Sequence, residues 1–465
     1  MSNRVAALLA AATGILSAAV GPSLGPAALV TLSQRPTQLD SAQVADLLSR
    51  LRAADSVVCQ LAGNTLINPW NVGSLGSLGG EQALAVPMPR PMPRPMPMPF
   101  AAPIAMSRPA IHMRMGRSGL GGWARYDGSA LGAFRAVLRD PSRCVRNVAA
   151  RVLGRAGAPG AYETLTAMLR DQSAGLRETA ALGLADLEDP RAARPLADAL
   201  KDADPAVRAV AAVGLGRLED PTAIVALTGA VGDASPLVRR NAVWALGTFE
   251  TRQAREPLDR ALQDADADVR ATAAWALAQH EDTAAVGPLG DALKDRDADV
   301  RRATAYALGQ LESERSVAPL TTALKDPSPD VRQTAAWALG QSESAAAVDG
   351  LGAALKDEDV GVRATAAWAL GQIESSAGVS ALAGALRDRE VAVRVAAAWA
   401  LGQIESVRSV EPLKAAMQDD APAVRRAAVW ALSQIDDPRA EDAVRNAAEG
   451  DRIRRPRAPR VRVRP

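Results

Sequence analysis

The chain has 465 residues, a formal net charge of +2, and 48% hydrophobic but only 3% aromatic residues. So few rings exclude a core built on large aromatics, and two cysteines and two histidines exclude a disulfide-dense scaffold or a multi-histidine metal centre. The charge is segregated, with ten basic and four acidic residues in 1–125 and seven and one in 451–465. The stretch between is acidic, which makes it a poor platform for nucleic acid.

Residues 1–20 place Arg4 before an apolar run, Val5 to Val20, with Ser17-Ala18-Ala19 as a cleavage site. That order reads as a secretory signal and implies export to a periplasm or cell envelope. The run is too short for a membrane span, and an alanine-rich helix of a cytoplasmic protein is the alternative. Residues 38–70 read as a degenerate capping repeat: Leu51, Val58, Ala62 and Leu66 keep the spacing of Leu324, Val331, Ala335 and Leu339. Cys59 stands where the regular repeats carry an arginine. The other cysteine is Cys144, and the spacing leaves open whether the two pair. Residues 71–125 are a Pro/Met/Gly-rich linker. Within it Val86 to Phe100 places proline at every second position, which favours extended polyproline and suits a spacer or a ligand for an aromatic groove.

From residue 126 to 450 the chain is periodic. Trp244, Trp275, Tyr306, Trp337, Trp368, Trp399 and Trp430 lie 31 positions apart. An arginine column runs from Arg146 through Arg270, Arg301, Arg332 and Arg363 to Arg425. Six residues before each stands an aspartate, from Asp140 through Asp264, Asp295, Asp326 and Asp357 to Asp419. Such a period predicts an all-α solenoid of ten helix–turn–helix units. In one unit Val317, Leu320 and Leu324 mark helix A, Lys325 to Pro329 a turn, and Asp330–Gln341 helix B. Pro195, Pro257, Pro288, Pro319 and Pro412 share a column near the start of helix A, where first-turn N–H groups lack partners anyway. Pro438 to Glu449 forms a capping helix, and Arg452–Arg464 a basic, solvated tail able to touch anionic surfaces.

The motif Asp330-Val-Arg-x-x-Ala-Ala-Trp-Ala-Leu-Gly-Gln341 resembles HEAT-like repeats of the phycobilisome-lyase type. The resemblance implies a right-handed solenoid with helix B on its concave side. It fits lyases, hydroxylases and plain scaffolds alike. HEAT-like deoxyhypusine hydroxylases carry repeated His-Glu pairs that ligate two irons; here the pair His280-Glu281 stands alone and His112 falls in the linker, so that centre cannot be assembled. No catalytic, cofactor or metal residues are assigned.

On a helix wheel Trp337 lies about 140° from the core direction set by Val331, Ala335, Ala338 and Leu339. The aromatic column then lines an open groove for a protein or peptide, or lies on the neighbouring B helix over small residues such as Ala336 and Gly340. The Asp and Arg columns read as a structural ladder along the stack, pairing for instance Asp326 with Arg332. The resulting expectation is a monomeric, non-enzymatic protein-binding scaffold. Bilin handling on phycobiliproteins, as in the lyases, is the alternative.

Overall fold

One unit shows how the sequence is used. A three-residue 3-10 turn, Glu314–Ser316, runs into a seven-residue α-helix, Val317–Ala323 (helix A), and a loop leads to Pro329–Gln341 (helix B). Pro329 fills the first helical position, where its fixed φ suits the helix and its missing N–H would have had no partner. In other units Asp204, Asp266, Asp297 and Asp359 cap helix B, their carboxylates accepting first-turn N–H groups. Ser344, Asp282 and Ser406 do the same for the 3-10 turns. That turn is absent from the sequence expectation. It arises because a serine, threonine or aspartate cap starts a tight turn shortly after helix B ends, three residues on at Ser344, Asp282 and Ser406. Pro319 is the third residue of helix A proper, still inside its first α turn.

Helix B is terminated in an unusual way. Glu188, Glu219, Glu281, Glu312, Glu343, Glu374 and Glu405 are left-handed, with φ between 44 and 53°. Helices more often place glycine there. Each glutamate costs about 1 kcal/mol of backbone strain. All seven side chains are exposed.

This arrangement comes from a computed structural model that describes residues 40–52, 126, 128–249 and 251–454, with side chains to residue 446 except at 43 and 50. These form α-helices and 3-10 turns, and no β-strand occurs among them. They divide after Pro257 into two compact units. Within each, successive B helices pack side by side and each A helix packs on its own B helix. The protein is thus an all-α array of tandem helical repeats, as the 31-residue period predicts.

The core of one repeat is Val317, Leu320 and Ala323 from helix A with Val331, Ala335, Ala338 and Leu339 from helix B, all buried. At the N-terminal side Ser41–Arg52 buries Val44, Leu47, Leu48 and Leu51 and packs on Gly128–Ala136 and Arg143–Arg155. Val58, Cys59, Ala62 and Leu66 of the expected capping repeat lie outside the described residues, as do the signal segment, the linker and residues 455–465. The last helix, Pro438–Arg454, packs on Pro422–Ser433. It extends past Glu449 and takes in the first residues of the basic tail, correcting that boundary. Cys144, the second residue of Arg143–Arg155, is disulfide-bonded.

The B helices approach too closely for a side chain at one position. A Cβ built on Gly340 would sit 3.0 Å from the Cα of Ala369 and 3.0 Å from Cζ3 of Trp368, and Gly309, Gly371 and Gly402 are equally tight against the following repeat. Alanine would raise intrinsic helix propensity by roughly 1 kcal/mol, yet here it must push two backbones apart. We expect Gly340→Ala to destabilise by about 1–3 kcal/mol in urea unfolding. A stabilised variant would show that the helix contact is looser than described.

Candidate functional site

Two columns of side chains run from repeat to repeat, one charged and one aromatic. The arginine near the start of helix B belongs to the first. Arg332 Nε and Nη2 donate to the two carboxylate oxygens of Asp357, both at 2.8 Å, while Nη1 donates to the carbonyls of Asp326 at 2.9 Å and Pro327 at 3.2 Å. Its Nη2 also reaches Glu358 at 3.3 Å. Arg332 itself is buried. The same bidentate pairing joins Arg177 to Asp202, Arg208 to Asp233, Arg270 to Asp295, Arg301 to Asp326, Arg363 to Asp388 and Arg394 to Asp419, at 2.6–3.1 Å.

This corrects the expected pairing. The carboxylate each arginine meets lies 25 residues ahead, in the next repeat, and not six residues behind. What the arginine takes from its own loop is the backbone carbonyl, as Arg270 does with Asp264 at 2.8 Å. The aspartate also serves its own loop: Asp326 Oδ1 accepts the Ser328 N–H at 2.8 Å and Asp264 Oδ1 that of Asp266 at 2.9 Å. Each guanidinium therefore ties two consecutive A–B loops together, with geometry a lysine cannot reproduce. At the N-terminal end the pattern changes. Asp140 takes Arg52 of the first helix at 2.8 Å, and Asp171 takes Arg139 at 2.8 Å.

The electrostatics follow. Burial alone would raise the Asp357 carboxyl, but the hydrogen bonds from Arg332 and the Asp359 amide and the charges of Arg332 and Arg363 outweigh it, leaving Asp357 below its ordinary value. At Asp202 the Arg177 hydrogen bond is the largest influence and acts in the same direction. All of this chemistry serves to hold consecutive loops together.

The aromatic column lies on a different stripe of helix B. Trp244, in the first unit, and Trp275, Tyr306, Trp337, Trp368, Trp399 and Trp430, in the second, are all half-buried. The reason lies in the preceding repeat: Cζ3 of Trp337 comes against Gly309, that of Trp368 against Gly340, and that of Trp399 against Gly371. Tyr306 and Trp337 stack with centroids 5.1 Å apart and planes 10° from parallel. One edge of each of these indoles is thus packing material, and the residues are left half-buried. The equivalent positions in the first three repeats carry Arg151, Leu182 and Val213. There a buried Asp186 holds Arg151 at 2.7 Å and Arg217.

A column that the sequence reading passed over follows one turn later. Gln279, Gln310, Gln341, Gln372, Gln403 and Gln434 stand four residues after each ring of the second unit, half-buried or exposed. The Gln310 amide donates to the Tyr306 hydroxyl at 2.7 Å. The signal was available, since the period is the same 31. Among the described residues no group of three or more His, Cys, Asp or Glu side chains could hold a metal ion.

Comparison with known proteins gives the array a family. Models of HEAT repeats match residues 132–204, 193–269, 257–327, 317–393 and 379–459 in tandem. The chain belongs to the HEAT-repeat family. Its HEAT repeats superpose on a chain from the structure of Kap95p with RanGDP at a TM-score of 0.52 with 13% identity, covering 85% of this chain and 54% of that one. Importin beta matches at 0.51 with 16% identity, covering 66% and 51%. The chain thus spans about half the length of these two solenoids, and the likeness is one of fold. Human deoxyhypusine hydroxylase is 26% identical over 53% of this chain and 96% of its own, at a TM-score of 0.26. No curated protein matches the chain.

The rungs make a stability prediction with a pH signature. Arg332→Ala should cost about 1–3 kcal/mol, because Asp357 and two loop carbonyls lose a charged donor. Asp357 has a depressed folded pKa, so its contribution is present above the unfolded carboxylate value near 3.9 and is lost as pH falls through the folded value. The stability gap between wild type and variant should therefore narrow below about pH 4, read as urea midpoints from pH 7 to 2.5. A gap that stays constant would remove the ion pair from the account.

Proposed function

We propose that the protein is a non-enzymatic binding scaffold that holds a polypeptide against the helix-B face of its second unit. The observation that carries this reading is the paired run of half-open rings and side-chain amides from Trp275 to Gln434. Indole and phenol faces offer apolar contact with little entropy to lose, and glutamine amides both donate to and accept from a peptide backbone. Kap95p, which binds RanGDP, is a case of a HEAT solenoid of related fold that engages a protein. The phycobilisome-lyase character of the motif stays a resemblance within this reading.

The test uses the full chain as bait, with wild type, Trp337→Ala and Gln341→Ala compared for the partners they retain. We expect each substitution to weaken retention at least tenfold, equivalent to about 1.4 kcal/mol. Trp337→Ala should also lower stability by about 2 kcal/mol, less than a fully buried tryptophan would, because only part of its ring is packed. Undiminished retention by both variants would move the binding face elsewhere. A bilin absorption shift on mixing the chain with bilin and an apo-phycobiliprotein would instead favour chromophore handling.

A further inference from the structure

We propose that Arg151 and Arg217, bridged by Asp186 on the helix-B face of the first unit, form a binding site for a phosphate group. The site lies wholly within the first unit and goes beyond the polypeptide-binding reading of the second.

Three successive B helices each bring one member. Arg151 comes from Arg143–Arg155, Asp186 from Ala174–Leu187 and Arg217 from Pro205–Leu218. Arg151 stands where the second unit carries a ring, and Asp186 and Arg217 where it carries glutamine. Arg151 Nε donates to Asp186 Oδ2 at 2.7 Å, and Arg217 Nη1 donates to Oδ1. The carboxylate is buried, with 3% of its side chain exposed, whereas Arg151 keeps 28% and Arg217 37%. Solvent at this point of the face therefore meets guanidinium and not carboxylate.

How many nitrogens are engaged separates these arginines from the rungs. Arg332 commits Nε, Nη1 and Nη2 to carboxylate oxygens and two loop carbonyls. Arg151 commits only Nε and Arg217 only Nη1, and among the described residues Asp186 is the one hydrogen-bond partner of each. Nη1 and Nη2 of Arg151 and Nε and Nη2 of Arg217 are left as donors without an acceptor there. The two guanidiniums that carry them are fixed side by side on the two oxygens of one carboxylate. Forked donors held in this way are preorganised for an oxyanion.

Charge points the same way. Arg155 stands one turn after Arg151, and its partner is Glu188 at 2.9 Å, a carboxylate 67% exposed. Three positive charges thus meet two negative ones, and the Glu188 pair is a surface contact of small worth. Burial is the largest influence on Arg217 and pushes its pKa down. The charges of Arg151 and Arg155 push it the same way, and only Asp186 opposes them. A further anion would favour the charged guanidinium. Arg155 and Arg217 occupy the last turns of their helices, where C-terminal carbonyls attract cations. That attraction explains how the arginines gather, and it falls off within one turn.

The ligand chemistry follows from the donors. Asp186 already supplies one carboxylate and occupies one nitrogen of each arginine. What remains is a set of neighbouring N–H groups and an excess of positive charge. A phosphate group carries about −1.5 to −2 near neutral pH and offers three strong acceptor oxygens. It can take forked donation from both arginines at once. Free phosphate and a phosphorylated serine of another polypeptide present the same group.

The experiment is titration calorimetry on the full chain at constant ionic strength and about pH 7.5, where phosphate is largely dianionic. The probes are inorganic phosphate, N-acetyl-O-phosphoserine amide and acetate. We expect one phosphate per chain to bind saturably, with a dissociation constant of about 1 mM or below. Arg151→Gln and Arg217→Gln should each weaken it at least tenfold. Arg155→Gln should weaken it about threefold, and it leaves both partners of Asp186 in place, so the test does not depend on variants that disturb the buried carboxylate. Lys201→Gln, which removes an exposed cation from the loop before Pro205–Leu218, should bind as wild type. Phosphoserine amide that binds as tightly as phosphate makes a phosphorylated polypeptide the source, and binding of inorganic phosphate alone makes it the free ion; either result supports the site. Acetate binding as tightly as phosphate would overturn it, as would affinity that all three arginine variants retain. So would the lack of saturable heat from both phosphate probes up to about 20 mM.

Discussion

A guanidinium shared between two consecutive loops is the interaction on which the array depends. Alanine-rich helices of seven and about thirteen residues are too short to be stable alone. Their association buries small side chains, which supply little apolar area per residue. The A–B loop is where such a design would fail, because chain reversal leaves carbonyls and amides without helical partners. Arg332 answers that need in two loops at once, and Asp326 fixes the turn from within through the Ser328 amide. Because the bond runs from one repeat to the next, loop geometry and repeat stacking are a single event. A lone repeat would have half of each rung, so stability is a property of neighbours.

The same close stacking shapes the aromatic face. Glycine in helix B lets the next helix come near, and the edge of the following tryptophan fills the space beside it. Ala278 stands in the glycine column one repeat before Tyr306, so the extra methyl coincides with the smaller ring. The indoles are held firmly in this way, because each is wedged along one edge while its residue is only half-buried.

How much of this was legible in the sequence depends on what set it. Helix B was read as Asp330–Gln341 and is Pro329–Gln341, since apolar spacing and caps are local. The 3-10 turns were missed because Ser344 looks like any loop residue until its cap geometry is seen. Arg332 was matched with Asp326 because spacing along the chain shows which residues are near in sequence, whereas the rung is set by stacking. The wheel sets Trp337 away from its own repeat's core, but a wheel knows one helix only. Its wedge against Gly309 belongs to the neighbour. Gln341 and its column were readable from the period alone and were hidden by the stronger signal of the rings.

Identical rungs also pose a counting problem. During folding any arginine of the column could engage any aspartate of the column, and a chain paired one repeat out of step would satisfy nearly all of its bonds. The local energies do not oppose such a slip. What opposes it is the irregular beginning. Asp140 is met by Arg52 from outside the regular series, and Asp171 by Arg139. Among the described residues these two contacts stand outside the repeated arginine-to-aspartate pattern, so they mark the first repeat as first. A periodic protein acquires its numbering from the place where the period is broken.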